Sequence, residues 1–131
     1  MARKIFVSYN FKDKEVSHSV NALLQKHGGK IDGQFVFVTR DVSSEGGAAI
    51  DREISRVQSG CDAALFIMGN NSHNSPWINR EAQLAKSRDL CIVLTRLPES
   101  RGGVPYEFFN SNYPEAEWSV NDLAYYLNRC N

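Results

Sequence analysis

Residues 77–81, with the sequence WINRE, place an indole ring and a carboxylate four residues apart, directly after Ser75 and Pro76. Serine followed by proline is typical of a helix start, and residues four apart lie on one face of a helix. A carboxylate such as Glu81 beside a large aromatic ring such as Trp77, near a cleft, is partly desolvated and has a raised pKa. The same spacing is also typical of simple packing, so it admits both interpretations.

Two further polar loops carry residues that can do chemistry. Ser8, Tyr9 and Asn10 open the loop 8–13, and the loop 39–47 holds Asp41 and Glu45 together with two glycines. Glycines permit tight turns and close approach of a ligand to the backbone. Neither G-x-G-x-x-G nor a P-loop pattern is present, so the sequence does not indicate a standard phosphate site. An ordinary connection between a strand and a helix is the simpler interpretation of the loop 39–47.

The histidines and cysteines do not form a recognisable catalytic or metal-binding pattern. His73 lies in the loop 70–77 without an evident metal-binding partner, and no Ser/His/Asp or Cys/His arrangement follows from spacing. The three cysteines, Cys61, Cys91 and Cys130, are widely spaced and include no C-x-x-C pair, which predicts neither a disulfide framework nor a zinc site. Cys61 and Cys91 adjoin apolar segments and are predicted to be buried, reduced thiols.

Composition and charge limit the classes of function further. The chain has 131 residues, which fits one domain over 1–131, and its 15 basic and 15 acidic residues balance. This balance gives no electrostatic signature for binding nucleic acid or a membrane surface. The apolar segment at the N-terminus is too short for a signal peptide or a membrane span, so a cytoplasmic protein is expected.

The elements that must position these residues follow from the apolar pattern. Four segments rich in β-branched and aromatic residues predict strands at 4–9, 34–40, 63–69 and 91–97. The last two are apolar almost throughout, as is typical of strands covered on both faces. Helical spacing predicts helices between them, the first of which runs to His27, and a final helix opens at Ser119. Alternation of strand and helix predicts a doubly wound α/β sheet, whose ligands bind at the carboxyl ends of the strands.

Four segments, in their order along the chain, resemble the TIR domain family. They are IFVSY at 5–9 followed by Lys12 and Asp13, the strand and loop at 37–47, the helix and strand at 54–69, and the pair Trp77 and Glu81. The resemblance covers about residues 3–97. Within that family, the opening FVSYNFKD is most similar to the bacterial group that includes the Thoeris antiphage sensors.

This resemblance implies a flavodoxin-like sheet of about five parallel strands and an enzyme that cleaves the nicotinamide–ribose bond of NAD. NAD would be the substrate, no cofactor or metal would be needed, and the product would be ADP-ribose or a cyclic isomer. That nucleotide would act as a messenger to a separate effector in antiphage defence, and the TIR domain would self-associate. The resemblance assigns catalysis to Glu81, an apolar wall to Trp77, and contacts with the substrate or control of access to Ser8, Tyr9, Asn10, Asp41 and Glu45.

Two other functions remain compatible with the sequence. In the first, the chain is a TIR-like interaction module without catalysis, in which Glu81 and Trp77 pack or pair with Arg80 or Lys86. In the second, it is an enzyme similar to nucleoside deoxyribosyltransferases, which also use a glutamate at a sugar carbon. The sequence does not identify the exact product, the trigger or the oligomeric state.

Overall fold

Five strands and four α-helices alternate in the described part of the chain, except that only a short 3-10 helix, Tyr106–Phe108, stands between the last two strands. A computed structural model describes residues 4–9, 14–26, 28–38, 43–70, 75–98, 100–109 and 111–130. The strands in chain order are β1 (Lys4–Ser8), β2 (Gln34–Phe37), β3 (Ala63–Met68), β4 (Cys91–Arg96) and β5 (Glu115–Ala116). The helices in chain order are α1 (Lys14–Leu24), α2 (Gly47–Gln58), α3 (Pro76–Ser87) and α4 (Val120–Leu127).

The five strands form one parallel sheet in the order β2-β1-β3-β4-β5. The predicted flavodoxin-like α/β fold of about five parallel strands is therefore confirmed. In register, Val7 of β1 lies opposite Leu65 of β3, and Ser8 lies opposite Phe66. The chain reverses its direction of travel across the sheet between β1 and β3, so the ligand-binding crevice of this fold class is expected where those two strands end.

Both faces of the sheet are covered by helices. All six residues of β3 are buried, as its continuous apolar sequence predicted. Alternation along the strands divides the core into two clusters of buried residues. One cluster includes Ile5, Val7, Leu65 and Ile67 with residues of α1 and α4: Val20, Leu24, Leu123 and Leu127. The other includes Phe6, Ala64, Phe66 and Met68 with residues of α2 and α3: Ile54, Ile78, Ala82 and Ala85.

Two predicted boundaries differ from the observed ones by three residues, and the other three predicted strands each end one residue earlier than predicted. The strand predicted over 34–40 ends at Phe37, and residues 39 and 40 lie outside the described residues. The helix predicted to reach His27, itself outside the described residues, ends at Leu24. After Leu24 the backbone N–H of Lys26 donates to the carbonyl of Leu23 instead of the residue four positions back, which tightens and ends the last turn.

The connection between β4 and β5 folds back over the end of β3. The backbone N–H of Arg101 donates to Asn70 Oδ1 over 2.8 Å, and the guanidinium of Arg96 donates to the carbonyl of Gly102. A Cβ atom at Gly102 would overlap the carbonyl oxygen of Gly69 and lie 2.8 Å from that of Asn70. Only glycine fits there, and the contact anchors the chain that leaves β3 toward α3.

The prediction of a reduced Cys91 is wrong, because Cys91 and Cys130 form a disulfide. Their Cα atoms are 5.7 Å apart, within the usual range for such a bond. The bond joins the start of β4 to the end of α4, which meet only in the folded chain. Cys61 is a free thiol, as predicted, but it is half-buried and not fully buried, and its partial burial raises its pKa.

Reduction of the disulfide is expected to lower the free energy of unfolding by roughly 2–4 kcal/mol, because the bond closes a loop of 39 residues in the unfolded chain. Thermal unfolding with and without dithiothreitol measures the effect. Cys61→Ser should respond to the reductant as the unmodified protein does, whereas Cys130→Ser should not respond. An unmodified protein whose Tm ignores the reductant would contradict the prediction.

In the described part of the chain, every helix falls short of the length and apolar character that crossing a membrane requires.

Candidate active site

Helix α3 begins at the carboxyl edge of the sheet in the way its sequence predicts. The Ser75 hydroxyl caps the helix by accepting a hydrogen bond of 3.2 Å from the backbone N–H of Ile78. Pro76 occupies the first turn, where its missing N–H costs nothing. This start fixes which side chains face the sheet: Ile78, Glu81, Ala82 and Ala85 are buried. A carboxylic acid therefore lies among apolar side chains on the inner face of α3.

The side chain of Glu81 meets the end of β1. The residue is 3% exposed, and its Oε1 accepts a hydrogen bond of 2.8 Å from the hydroxyl of Ser8, which is 1% exposed. Ser8 shares its strand face with Phe6, so the strand directs it toward α2 and α3. The structure thus brings together two residues, 73 positions apart in sequence, that were each predicted for the site.

Burial dominates the electrostatics of this carboxyl group. Loss of solvation raises the pKa of Glu81 from 4.5 to about 8. The Ser8 hydroxyl and the Trp77 indole act in the opposite direction, because donors beside a carboxylate favour its charged form. No cation offsets the burial within the described residues that act on this group. At neutral pH in this arrangement, Glu81 is largely protonated.

Trp77 lies one helical turn before Glu81 and is half-buried. Its ring packs against the core cluster that contains Phe6, Phe66 and Ile78. The aromatic ring and the carboxylate therefore share a helix face, as their spacing predicted.

Asn79 of α3, which had no predicted role, holds the helix against its neighbours. Asn79 Oδ1 accepts a hydrogen bond of 2.7 Å from the backbone N–H of Tyr106, and Asn79 Nδ2 donates to the carbonyl of Ser75 over 3.1 Å. Next to this contact, Phe108 inserts its ring edge-on against Phe66, with centroids 4.9 Å apart. The segment between β4 and β5 is therefore held against the start of α3.

Arg80 connects α3 to α2 through a two-pronged ion pair. Its Nε and Nη2 donate to the two carboxylate oxygens of Asp51 over 2.5 and 2.7 Å. The guanidinium holds the pKa of Asp51 below its usual value. Both side chains are more than a third exposed, so the pair contributes little to stability. A cavity of about 250 Å³ adjoins it, lined by Gly47, Ile50, Asp51, Pro76 and Arg80; Glu81 does not line this cavity.

Gln58, at the end of α2, holds the backbone of the same turn. Its Nε2 donates to the carbonyl oxygen of Glu81 over 3.1 Å, and the residue is 1% exposed. Its Oε1 has no hydrogen-bond partner among the described residues. Gln58 was not predicted for the site, although its position four residues after Ile54 places it on the buried face of α2 and was the available signal.

The other predicted site residues that the structure describes are Tyr9 and Glu45, and neither is among the groups that act on Glu81. Tyr9 packs on the opposite face of the sheet, with its ring edge-on to Phe37 at a centroid distance of 6.0 Å. Glu45 lies exposed at the end of a short 3-10 helix, Ser43–Glu45. Asn10 and Asp41 lie outside the described residues. The core of the candidate site is therefore Ser8, Trp77 and Glu81.

A metal site does not emerge from the described side chains. Among them, His, Cys, Asp and Glu nowhere form a group of three or more that can hold a metal ion. The arrangement around Glu81 instead offers a carboxyl group, a hydroxyl group and an aromatic wall, which suit stabilisation of positive charge that develops on a bound molecule.

Comparison with known families agrees with the fold. The model of the TIR domain family matches residues 5–124, which include all of β1 except Lys4, the other four strands, and the first five residues of α4. Comparison with curated proteins gave no match.

Proposed function

Because the chain belongs to the TIR domain family, we propose that it cleaves the bond between nicotinamide and ribose in NAD, with Glu81 as the catalytic carboxylate. Membership of the family supports a function in signalling or in NAD cleavage. The observation that favours NAD cleavage over signalling alone is the buried carboxyl group of Glu81. It is hydrogen-bonded to Ser8 and lies beside Trp77, where β1 and β3 end. Acids with strongly perturbed pKa values cluster at functional sites.

The proposed chemistry is loss of a neutral base from a sugar. The C–N bond to ribose breaks, its electron pair moves to the ring nitrogen of nicotinamide, and the ring loses its positive charge. Positive charge then develops on the ribose, and an ionised Glu81 stabilises it or holds the ribose hydroxyls. Attack by water, with release of a proton, gives ADP-ribose. Attack by an adenine nitrogen of the same molecule, without addition of water, gives a cyclic ADP-ribose.

Other residues are assigned supporting roles in this proposal. Trp77 forms an apolar wall beside the ribose or nicotinamide, which keeps water from the developing charge. Tyr9 and Asn10 contact the nucleotide from the loop after β1, and Asp41 and Glu45 control access from the loop after β2. Glu81 is 3% exposed. The ribose therefore reaches it only after neighbouring side chains move, which fits an enzyme that is completed by self-association or by a trigger.

The biological setting belongs to the same proposal. The opening FVSYNFKD supports a place among bacterial antiphage TIR proteins of the Thoeris type, in which the product nucleotide activates a separate effector. The proposed compartment is the cytoplasm, where thiols are kept reduced. In that compartment the disulfide between Cys91 and Cys130 would be reduced, so the fold must be stable without it.

A non-catalytic interaction module is the second candidate, and the burial of Glu81 favours it. A carboxyl group that is 3% exposed and hydrogen-bonded to Ser8 can serve packing alone. The two functions differ in whether any bond is broken.

Parallel incubations distinguish the candidates. Protein at high concentration, with a crowding agent to promote self-association, is incubated with NAD and separately with a deoxynucleoside, and the products are separated by chromatography. We expect nicotinamide from NAD and no free base from the deoxynucleoside. Free base from the deoxynucleoside alone would support a deoxyribosyltransferase-like enzyme. The absence of products from both would support the interaction module.

Activity is expected to increase with pH through a midpoint near 8. The proposed reaction requires ionised Glu81, whose raised pKa of about 8 leaves most of it protonated at lower pH. Each unit of pH below the midpoint should reduce kcat/KM by roughly tenfold. Initial rates of nicotinamide release from roughly pH 6 to 9 measure the profile. A constant kcat/KM over this range would contradict the assignment.

A further inference from the structure

Ser8 has a different environment from that of a residue that contacts a nucleotide directly. Its hydroxyl is buried at 1% exposure and donates to Glu81 Oε1 over 2.8 Å. We infer that Ser8 is a positioning residue, which fixes the orientation of the Glu81 carboxyl group and favours its ionised form. This inference rests on the proposed function, because it names the residue through which the fold prepares the catalytic carboxylate.

The geometry supplies the first reason. A glutamate side chain has three rotatable torsions, so a buried carboxyl group needs a fixed partner to hold one orientation. Ser8 is the last residue of β1, and β1 lies between β2 and β3. The Ser8 hydroxyl is therefore attached to an interior strand of the sheet, which moves less than the loops around it. Gln58 holds the backbone of the same helical turn through the Glu81 carbonyl oxygen.

The surrounding charges supply the second reason. An ionised carboxylate accepts hydrogen bonds only, so a donor beside it favours the charged form. Arg80 on α3 forms an ion pair with Asp51, and Arg56 on α2 forms an ion pair with Glu53. Among the described residues, the groups that lower the pKa of Glu81 against its burial are Ser8 and Trp77. Removal of the Ser8 hydroxyl therefore removes a main support of the ionised form.

A purely structural role for Ser8 gives different results. Loss of the hydroxyl would then lower the stability of the protein and leave the titration of Glu81 unchanged. A direct contact with NAD would raise KM and leave kcat almost unchanged. The positioning role instead shifts the titration of Glu81 and lowers kcat at neutral pH, because a smaller fraction of the carboxyl group is ionised.

Three substitutions at Ser8 separate these roles in the full chain. Ser8→Ala removes the hydroxyl, Ser8→Cys keeps a similar volume with a much weaker donor, and Ser8→Thr keeps the hydroxyl. The titration of Glu81 is followed by NMR with glutamate labelled with ¹³C at the side-chain carboxyl, and its signal is identified by its loss in Glu81→Gln. This measurement needs no turnover. Kinetics with NAD at neutral pH provide the second readout.

We expect the midpoint for Glu81 to increase by roughly one pH unit in Ser8→Ala and Ser8→Cys and to return toward the original value in Ser8→Thr. The kcat at neutral pH should fall by roughly tenfold in the first two variants, with little change in KM. If Ser8→Ala does not fold, Ser8→Cys carries the test. An unchanged midpoint in the folded variants, or an increase in KM alone, would overturn the inference. An unmodified protein that leaves NAD intact would instead overturn the proposed function, because the titration does not depend on it.

Discussion

Replacement of Glu81 by Gln is expected to reduce the rate of NAD cleavage by roughly 10²–10³-fold. Glutamine keeps the shape of the side chain and can still accept the hydrogen bond from Ser8. It cannot carry the negative charge that the proposed reaction places next to the ribose. The binding of NAD should change much less than the rate, since a stabilising charge matters most in the transition state.

The same substitution is expected to make the protein more stable above neutral pH. Glu81 has its pKa raised from 4.5 to about 8, so between these values the folded protein holds a proton that the unfolded chain has released. The stability of the unmodified protein therefore falls as pH rises from about 4.5 and stops falling above about 8. The glutamine introduced by Glu81→Gln does not ionise, so this loss is absent. The free energies of the two proteins should be closest at acidic pH and differ most at alkaline pH.

Nicotinamide release and thermal unfolding at several pH values measure the two effects, and Glu53→Gln is the matched control. Glu53 is also a buried glutamate, at 6% exposure, but its carboxylate is paired with Arg56 at 2.5 Å. Glu53→Gln should retain activity and gain no stability at alkaline pH, because it removes a favourable ion pair. Full activity in Glu81→Gln, or equal changes in both variants, would contradict the assignment of Glu81.

Gly102→Ala is expected to destabilise the fold by roughly 2–3 kcal/mol or more. A Cβ atom at this position overlaps the carbonyl oxygen of Gly69 and approaches that of Asn70 to 2.8 Å. Both obstacles are backbone atoms at the end of β3, which cannot rotate away as a flexible side chain can. The clash must be relieved by moving the β4–β5 connection or the chain that leads to α3. We therefore expect NAD cleavage to fall together with stability.

Gly47→Ala is the control for this substitution. Gly47 begins α2, and a Cβ atom there would meet no atom within 4 Å. Alanine also has a higher helix propensity than glycine, so this variant should be as stable as the unmodified protein or slightly more stable. Thermal and urea unfolding of both variants measure the difference. Equal Tm values for Gly102→Ala and Gly47→Ala would show that the β4–β5 connection adapts without cost.

Much of the fold could be predicted from local patterns in the sequence. The almost continuous apolar segments at 63–69 and 91–97 indicated strands buried on both faces, and β3 and β4 occupy those positions. Ser75 and Pro76 predicted where α3 begins, because a capping residue and a proline both exert their effect within the first turn of a helix. The shared helix face of Trp77 and Glu81 followed from their four-residue spacing.

The features that could not be predicted depend on contacts between distant segments. The hydrogen bond from Ser8 to Glu81 joins residues 73 apart, and the disulfide joins Cys91 and Cys130, 39 apart. Neither contact can be inferred from a local pattern, because both depend on how the sheet and the helices pack against each other. The close approach at Gly102 is a third case, since a glycine in an irregular segment is typical of any loop.

The most direct test of the central claim is identification of the products of NAD by mass spectrometry, with the unmodified protein and Glu81→Gln side by side at high protein concentration. We expect the unmodified protein to release nicotinamide together with an equal amount of ADP-ribose or of a cyclic ADP-ribose, which contains one molecule of water less. Glu81→Gln should leave NAD almost entirely intact. Release of nicotinamide at equal rates by both proteins would contradict the role of Glu81.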